Sequence, residues 1–231
     1  MIIAIDGPSG AGKSTLGKML AKNLNLLYLD TGAMYRAVGL AVLENGVSFD
    51  DKPKVAEIAE SAQIELVGEP ESLRIFLNGK DVSVEIRTNE VGQAASIVSG
   101  VSEVRKILVG HQRTLGENSK NGAVLDGRDI GTVVFPNADV KFFLTAKPEA
   151  RAQRRFQEDS ENGRVSTYEQ TLAEINQRDE RDVSREDSPL AIADDAVVID
   201  TSELDLHEVF KQMLEIVREN QTVKIVKGEA L

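Results

Sequence analysis

The chain has 231 residues, 41% of them hydrophobic and 28% charged, a composition typical of one large folded domain rather than of a disordered protein. Its 27 lysines and arginines face 38 aspartates and glutamates, a net charge of −11, which argues against nucleic acid or an anionic membrane as the main partner. The absence of cysteine excludes disulfides, thiolate catalysis and cysteine-bound zinc.

The first predicted elements surround a glycine-rich loop. Ile2 to Ile5 form a continuous apolar run typical of a strand buried on both faces, and apolar residues recur at helical spacing from Leu16 to Leu24. Between them, Gly7 to Ser14 read GPSGAGKS and match the phosphate-binding pattern G-x-x-x-x-G-K-[ST]. Strand, loop and helix follow in the order that this pattern requires, so the chain is predicted to bind a nucleoside triphosphate.

Each residue type in the loop has a chemical reason. The glycines allow a tight turn that points several backbone N–H groups at one anion. The following helix adds the positive end of its dipole. Lys13 supplies a mobile charge for the outer phosphates, and the Ser14 hydroxyl is placed for Mg²⁺.

Further along the chain, apolar runs alternate with helical stretches. The predicted strands after the first are Leu26 to Asp30, Ala123 to Gly127, Val140 to Ala146, and Ala196 to Ser202. A last helix is predicted from Glu203 to Glu219. This alternation indicates an α/β fold with a parallel sheet of about five strands flanked by helices.

Three segments depart from that alternation. Gln63 to Val84 alternates apolar and polar residues and contains the turn pair Asn78-Gly79, which predicts a small antiparallel insert. Phe156 to Ser166 is polar and contains a glycine, as a mobile flap would. The tail from Val223 is left open between a loose end and an edge strand.

Two classes of triphosphate-binding protein compete at this point. A guanine-nucleotide switch should carry an Asn-Lys-x-Asp motif, which is absent, whereas a small-molecule kinase needs a second anion site and a lid that excludes water. Thr31 to Arg36 (TGAMYR) and Asp126 to Gly131 (DGRDIG) follow predicted strands, at the edge where ligands bind in such sheets. Seven arginines lie between Arg151 and Arg185. As a set they favour a phosphate clamp, and hence a kinase.

The acceptor class remains open on chemistry alone. His111 and His207 are the only histidines, and each lies in a predicted helix. A phosphate acceptor needs no general base because its oxygen is already anionic, whereas an alcohol acceptor favours a positioned carboxylate, for which Asp30 or Asp129 could serve.

Several motifs together resemble the bacterial cytidylate kinase family of nucleoside monophosphate kinases. They are IAIDGPSGAGKST, LDTGAMYRA, EIRTNEVGQAAS, DGRDIGTVVFP and RDERD, in the order and spacing of that family, and the resemblance runs from residue 2 to about 218. It implies a P-loop NTPase fold and transfer of the γ-phosphoryl group of ATP to CMP or dCMP. It also implies one kinase domain with a core (about 1–60, 86–150 and 185–220), a nucleotide-binding insert (about 63–85) and a lid (about 151–184).

The same resemblance assigns roles residue by residue. The residues implied in ATP binding are Gly7, Pro8, Ser9, Gly10, Ala11, Gly12, Lys13, Ser14 and Thr15. Those implied in CMP binding are Thr31, Tyr35, Arg36, Ser96, Arg105, Arg128, Asp129, Arg178, Asp182 and Arg185. Those implied in catalysis are Lys13, Arg128, Arg154, Arg155, Arg178 and Arg181. Ser14 and, through water, Asp126 are the candidates for holding Mg²⁺.

The implied base pocket fits the chemistry of cytosine. Cytosine offers an amino donor beside two acceptors, which a carboxylate such as Asp129 and donors such as Arg105 and Ser96 can satisfy. Uracil would leave buried groups unpaired, and such mismatches discriminate strongly.

The partners expected from the sequence are small molecules. They are ATP with Mg²⁺ and CMP or dCMP, with no nucleic acid and no membrane, and we expect a monomer. Because no signal-like segment precedes the first strand and no apolar run approaches about 18 residues, we expect a cytoplasmic protein. The alternatives are a P-loop kinase for UMP, AMP or an alcohol, and a protein that senses ATP without transferring phosphate.

Overall fold

The computed structural model describes residues 1–161 and 163–227. The strands are β1 (Ile2–Asp6), β2 (Leu27–Asp30), β3 (Ile64–Val67), β4 (Arg74–Leu77), β5 (Lys80–Asp81), β6 (Ala123–Asp126), β7 (Val140–Thr145) and β8 (Val197–Asp200). The helices are α1 (Lys13–Leu24), α2 (Thr31–Glu44), α3 (Lys52–Ser61), α4 (Asn89–Val98), α5 (Ser102–Glu117), α6 (Pro148–Glu161), α7 (Tyr168–Ser184) and α8 (Leu206–Lys227).

The main sheet has five parallel strands in the order β2-β6-β1-β7-β8, which confirms the predicted architecture. Each strand begins and ends within two residues of its predicted run. The central strands are mostly apolar because helices cover both faces, so that Ile3, Ala4 and Ile5 are all fully buried. Since the strands are parallel, their carboxyl ends lie along one edge, where β1, β2 and β6 each end in an aspartate.

The two faces of this sheet pack against different partners. On one face, α1 and α8 contribute Leu16, Leu20 and Met213 to a cluster with Ile3 and Ile5. On the other face, Ala4, Leu29 and Leu125 pack against Ile130 and Val134, two residues of a π-helical turn at Ile130–Val134. The helix that follows the glycine-rich loop therefore packs on one face of the sheet, and the turn at Ile130–Val134 packs on the other face.

The predicted antiparallel insert is present. Strands β3, β4 and β5 form a separate antiparallel sheet, and Asn78 and Gly79 connect β4 to β5. Both turn residues have positive φ, 52° and 78°, as a two-residue hairpin turn requires. Ile75 and Leu77 of β4 pack against Ala37 of α2, so the insert is fixed to the second helix.

The flap predicted for Phe156 to Ser166 is wrong in its first half, because α6 continues to Glu161. Its polar residues have good helix propensity, and the Asp159 carboxylate lies 4.0 Å from Arg155 and 2.8 Å from Arg164. Asn162 lies outside the described residues. Polarity alone therefore does not distinguish a solvated helix from a loop.

The last helix begins later and ends later than predicted. Asp205 accepts a hydrogen bond from the backbone N–H of His207 (2.7 Å) and so places the start at Leu206. The backbone of residues 223–227 continues α8, whereas residues 228–231 of the unassigned tail lie outside the described part. No helix among the described residues is long and apolar enough to cross a bilayer.

Candidate active site

The loop between β1 and α1 has the backbone that its glycines predict. Gly7, Gly10 and Gly12 have φ of 138°, 79° and 90°, which side chains rarely adopt. A Cβ on Gly7 would lie 1.9 Å from the carbonyl oxygen of Leu144, so a larger residue would push the loop off the end of β7. The loop thus packs closely against the end of β7.

Lys13 and Ser14 open helix α1. The Lys13 ammonium donates to the carbonyl oxygen of Pro8 (2.7 Å). Burial and the nearby Arg128 hold its pKa well below the usual value. Ser14 Oγ donates to Asp126 Oδ2 (2.6 Å). The ammonium group of Lys13 and the hydroxyl group of Ser14 therefore both lie directly after the glycine-rich loop.

Asp126 and Asp30 end neighbouring strands and are paired in register. Burial, together with the charge of Asp30, raises the pKa of Asp126 to about 6. The second oxygen of Asp126, Oδ1, is buried and has no hydrogen-bond partner within the described residues. An unpartnered carboxylate oxygen beside a serine hydroxyl fits the outer shell of a Mg²⁺ ion that takes its other ligands from water and phosphate.

The segment after β2 becomes helix α2, and its first residues are held tightly. Asp30 accepts from the backbone N–H of Ala33 (2.8 Å) and pairs with Arg36 (3.0 Å). Thr31 Oγ1 donates to the carbonyl oxygen of Asp126 (2.6 Å). Arg36 is thereby directed into the same cleft as the glycine-rich loop.

Asp182 of α7 organises the arginines opposite the loop. It forms ion pairs with Arg128 (2.8 Å) and with Arg185. Burial acts to raise the pKa of Asp182, but the charges of Arg128, Arg185 and Arg178 outweigh burial and bring it to about 2. The carboxylate is therefore ionised throughout the neutral range.

Arg178, unlike Arg128 and Arg185, does not pair with Asp182. It forms no hydrogen bond or ion pair in the described part of the chain, and its Nε is buried. Burial and the charge of Arg128, with further contributions from Arg36 and Arg155, lower its pKa to about 9. A cation that is crowded by other cations is a site for an anion.

The residues assigned to the cytosine base lie behind that cluster. Arg105 and Asp129 form a buried ion pair, and the Arg105 guanidinium lies 5.7 Å from the centre of the Tyr35 ring. Burial raises the pKa of Tyr35 to about 12. Ser96 Oγ accepts from Arg181 (3.2 Å). The structure brings Tyr35, Arg105 and Asp129 together as partners of each other, whereas Ser96 is held by Arg181.

The arginines of α6 have different partners. Arg151 is buried and donates to the carbonyl oxygens of Ala146 (2.9 Å) and Ser9 (3.1 Å), and it pairs with Asp179 of α7. Arg154 donates to Thr201 Oγ1 (3.2 Å). Arg155 donates to Asn89 Oδ1 (3.2 Å). Arg151 is therefore a structural link, whereas Arg154 and Arg155 reach the open cleft.

One cleft of about 760 Å³ joins the two anion sites. The sequence-predicted residues that line it are Ser9, Gly10, Ala11, Gly12, Lys13, Ser14, Thr15, Arg36, Asp126, Arg128, Arg154, Arg155 and Arg178. Those that do not are Gly7, Pro8, Thr31, Tyr35, Ser96, Arg105, Asp129, Arg181, Asp182 and Arg185. His111 and His207 are exposed on helices and are not among the residues that line it.

Sequence reasoning missed part of the cleft wall. The loop after β8 brings Thr201 and Leu204 to the cleft, the first residue of α8, Leu206, lies beside them, and Arg87 borders the cleft just after the insert. Thr201 Oγ1 also donates to the carbonyl oxygen of Ala11 (3.1 Å). The signal was available for Thr201, because it follows a parallel strand at the edge where ligands bind.

A triphosphate loop, a parallel α/β sheet and a second cluster of cations across one cleft define a P-loop kinase. The family model for cytidylate kinase matches residues 3–219. A cytidylate kinase of Caldanaerobacter subterraneus subsp. tengcongensis is 50% identical over 98% of this chain and 96% of its own. That of Bacillus subtilis is 46% identical over 94% of this chain and 96% of its own. The chain therefore belongs to the cytidylate kinase family, whose members are nucleoside monophosphate kinases.

A solved structure shares the fold at much lower identity. An uncharacterised protein from Eubacterium ventriosum has a TM-score of 0.53 and 11% identity, covering 94% of this chain and 98% of its own. This likeness shows the fold alone.

Proposed function

We propose that the protein transfers the γ-phosphoryl group of ATP to CMP and dCMP, giving ADP and the cytidine diphosphate. The observation that carries this proposal is the unpaired Arg178, which faces the glycine-rich loop across a single cleft. A protein that only senses ATP needs one anion site, whereas transfer between two phosphates needs two that face each other.

ATP binds with its phosphates on the amides of the glycine-rich loop, and Lys13 exchanges the carbonyl oxygen of Pro8 for a phosphate oxygen. The apolar side chains of Leu204 and Leu206 border the same end of the cleft and provide a surface for the adenine ring. Ser14 and, through water, Asp126 would hold Mg²⁺, which when bound neutralises charge on the phosphates.

CMP binds with its phosphate among Arg36, Arg128 and Arg178. Its base displaces the Arg105–Asp129 pair and the contact of Arg181 with Ser96, so that Ser96, Arg105 and Asp129 then read the cytosine edge. Asp182 and Arg185 lie on the ribose side and keep Arg128 oriented. The reaction depends on alignment and charge neutralisation, because the acceptor oxygen is already anionic.

The carboxylates near the cleft favour a phosphate acceptor over an alcohol. Asp30 is occupied as the cap of α2 and as the partner of Arg36, and Asp129 is paired with Arg105. Neither is free to take a proton from a hydroxyl group. Asp126 keeps one unpartnered oxygen, but the proposal assigns it to Mg²⁺ through water. A phosphate acceptor needs no general base, so the occupied carboxylates are no obstacle to it.

Helices α6 and α7 form the lid (about 151–184) over a core of about 1–60, 86–150 and 185–220, with the insert at about 63–85. Arg154 and Arg155 of α6 reach the cleft, and Arg181 contacts the acceptor side through Gln93 (2.9 Å). These arginines assist catalysis when the lid excludes water. The monomeric state, the cytoplasmic location and the lack of a nucleic-acid partner remain predictions from the sequence.

The test is ADP release from Mg-ATP with CMP, dCMP, UMP, AMP, GMP, dTMP and shikimate as acceptors. Turnover confined to CMP and dCMP supports the proposal. Equal turnover of CMP and UMP would keep the kinase and reject the base pocket. ATP binding without turnover of any acceptor would leave an ATP sensor.

A further inference from the structure

Asp6 is the last residue of β1 and the neighbour of the first loop glycine, yet its side chain does not join the ATP site. Its carboxylate is 4% exposed and lies outside the lining of the cleft. Oδ1 accepts from the backbone N–H of Ile130 (2.8 Å), and Oδ2 accepts from that of Gly131 (2.7 Å). The residue thus connects β1 to a segment more than a hundred positions away in sequence.

The two amides belong to the turn that directly follows two residues assigned to the acceptor site. Ile130 opens the π-helical turn Ile130–Val134 and directly follows Arg128 and Asp129. The far end of the turn is held separately, because Arg113 donates to the carbonyl oxygens of Val133 (2.8 Å) and Val134 (2.9 Å). Asp6 therefore fixes the beginning of the turn, immediately after Arg128 and Asp129.

A carboxylate here is energetically expensive. Burial raises the pKa of Asp6 to about 6 despite the two amide hydrogen bonds, and the charge of Asp129 adds to the effect while Lys13 opposes it. An apolar residue at this buried position would avoid the cost of burying a charge. A carboxylate accepts from each amide with a separate oxygen, whereas an asparagine in the same position would present one acceptor and one donor.

We propose that Asp6 is a positioning residue for acceptor recognition, which orients Arg128 and Asp129 through the backbone of their turn without touching either nucleotide. The inference rests on the proposed function, in which these two residues contact the phosphate and the base of CMP. It separates Asp6 from its neighbours in the loop, whose partner is ATP.

The experiment compares steady-state kinetics of the full-length wild type and Asp6→Asn. Losing one buried hydrogen bond and facing an amide with a donor should raise KM for CMP about tenfold or more and reduce the preference for CMP over UMP. KM for ATP should stay within about twofold, because the loop backbone is unchanged. Arg113→Gln, which loosens the other end of the turn, is the matched control and should leave base preference unchanged.

Equal increases in KM for ATP and CMP, or lower stability with unchanged kinetics, would overturn the proposal in favour of a structural role. A wild type that does not turn over CMP would instead reject the proposed function. For that case, and for a variant that does not fold, amide hydrogen exchange of the wild type without nucleotide gives a separate result. Slow exchange at Ile130 and Gly131 supports a turn set in advance by Asp6, and fast exchange contradicts it.

Discussion

Two arginines in neighbouring motifs show what the contacts of single residues add to a prediction made from the sequence. Arg151 and Arg178 have the same chemistry and lie in the same predicted lid, but one is buried on carbonyl oxygens and Asp179, whereas the other has no partner in the described chain. Sequence patterns predicted that the arginines act as a set. They did not predict which members are structural, because that depends on carboxylates and carbonyls brought in from distant segments.

Asp182 provides a prediction for pH dependence. Its pKa of about 2 in the folded protein lies below the ordinary value of 3.8, so the unfolded state binds more protons. The stabilisation, about 2 kcal/mol, is complete above about pH 4 and is lost as pH falls through about 2. In urea unfolding, the stability difference between the wild type and Asp182→Asn should therefore shrink between pH 4 and 2.

The exposed Asp194 is the control for this measurement. Asp194→Asn changes charge by the same amount at a solvent-exposed position, where a substitution has little effect on stability. A difference for Asp182→Asn that is constant over the same pH range would show that its charge is not what stabilises the arginine cluster.

At the scale of elements, the strands were predicted to within two residues, but the polar half of α6 was not. Buried strands leave continuous apolar runs, which are legible in the sequence. In the continuation of α6, Asp159 is buried between Arg155 and Arg164. The same polar residue types also occur in loops, so composition alone did not distinguish the helix from a flap. The insert was predictable because its turn, Asn78-Gly79, is specified by local backbone chemistry.

Substitution in the turn of the insert can test whether local backbone chemistry specifies it. At Gly79, with φ of +78°, a Cβ meets nothing within 4 Å, so Gly79→Ala should destabilise the protein by backbone strain alone, by about 1 kcal/mol. Gly110 in α5 also has open space around it but has helical backbone. Gly110→Ala should therefore stabilise by up to about 1 kcal/mol. Thermal unfolding that showed the same sign for both would contradict the turn geometry.

At the scale of the whole molecule, the glycine-rich loop is connected to α7 through Arg151 of α6. Arg151 contacts the Ser9 carbonyl oxygen (3.1 Å) with the same guanidinium that pairs with Asp179 (2.5 Å). Asp179 directly follows Arg178 on α7. A shift of the loop is therefore transmitted to the residue that faces the acceptor.

Asp179→Asn tests this connection. Removing the charge weakens the pair with Arg151 and should raise KM for ATP and for CMP together, each by about tenfold. Glu180→Gln, at an exposed neighbouring position, is the matched control and should leave both constants within about twofold. An increase confined to one nucleotide would show that the loop and α7 act independently.

The crowding of cations around Arg178 also bears on a side reaction. Water can enter the same cleft and attack ATP, but it brings no negative charge to relieve the repulsion among Arg128, Arg178 and their neighbours. A phosphate acceptor brings that charge when it binds and so draws the arginines together around the transferring group. If the proposed function holds, we therefore expect electrostatics as well as exclusion of water to slow the hydrolysis of ATP until a second phosphate binds.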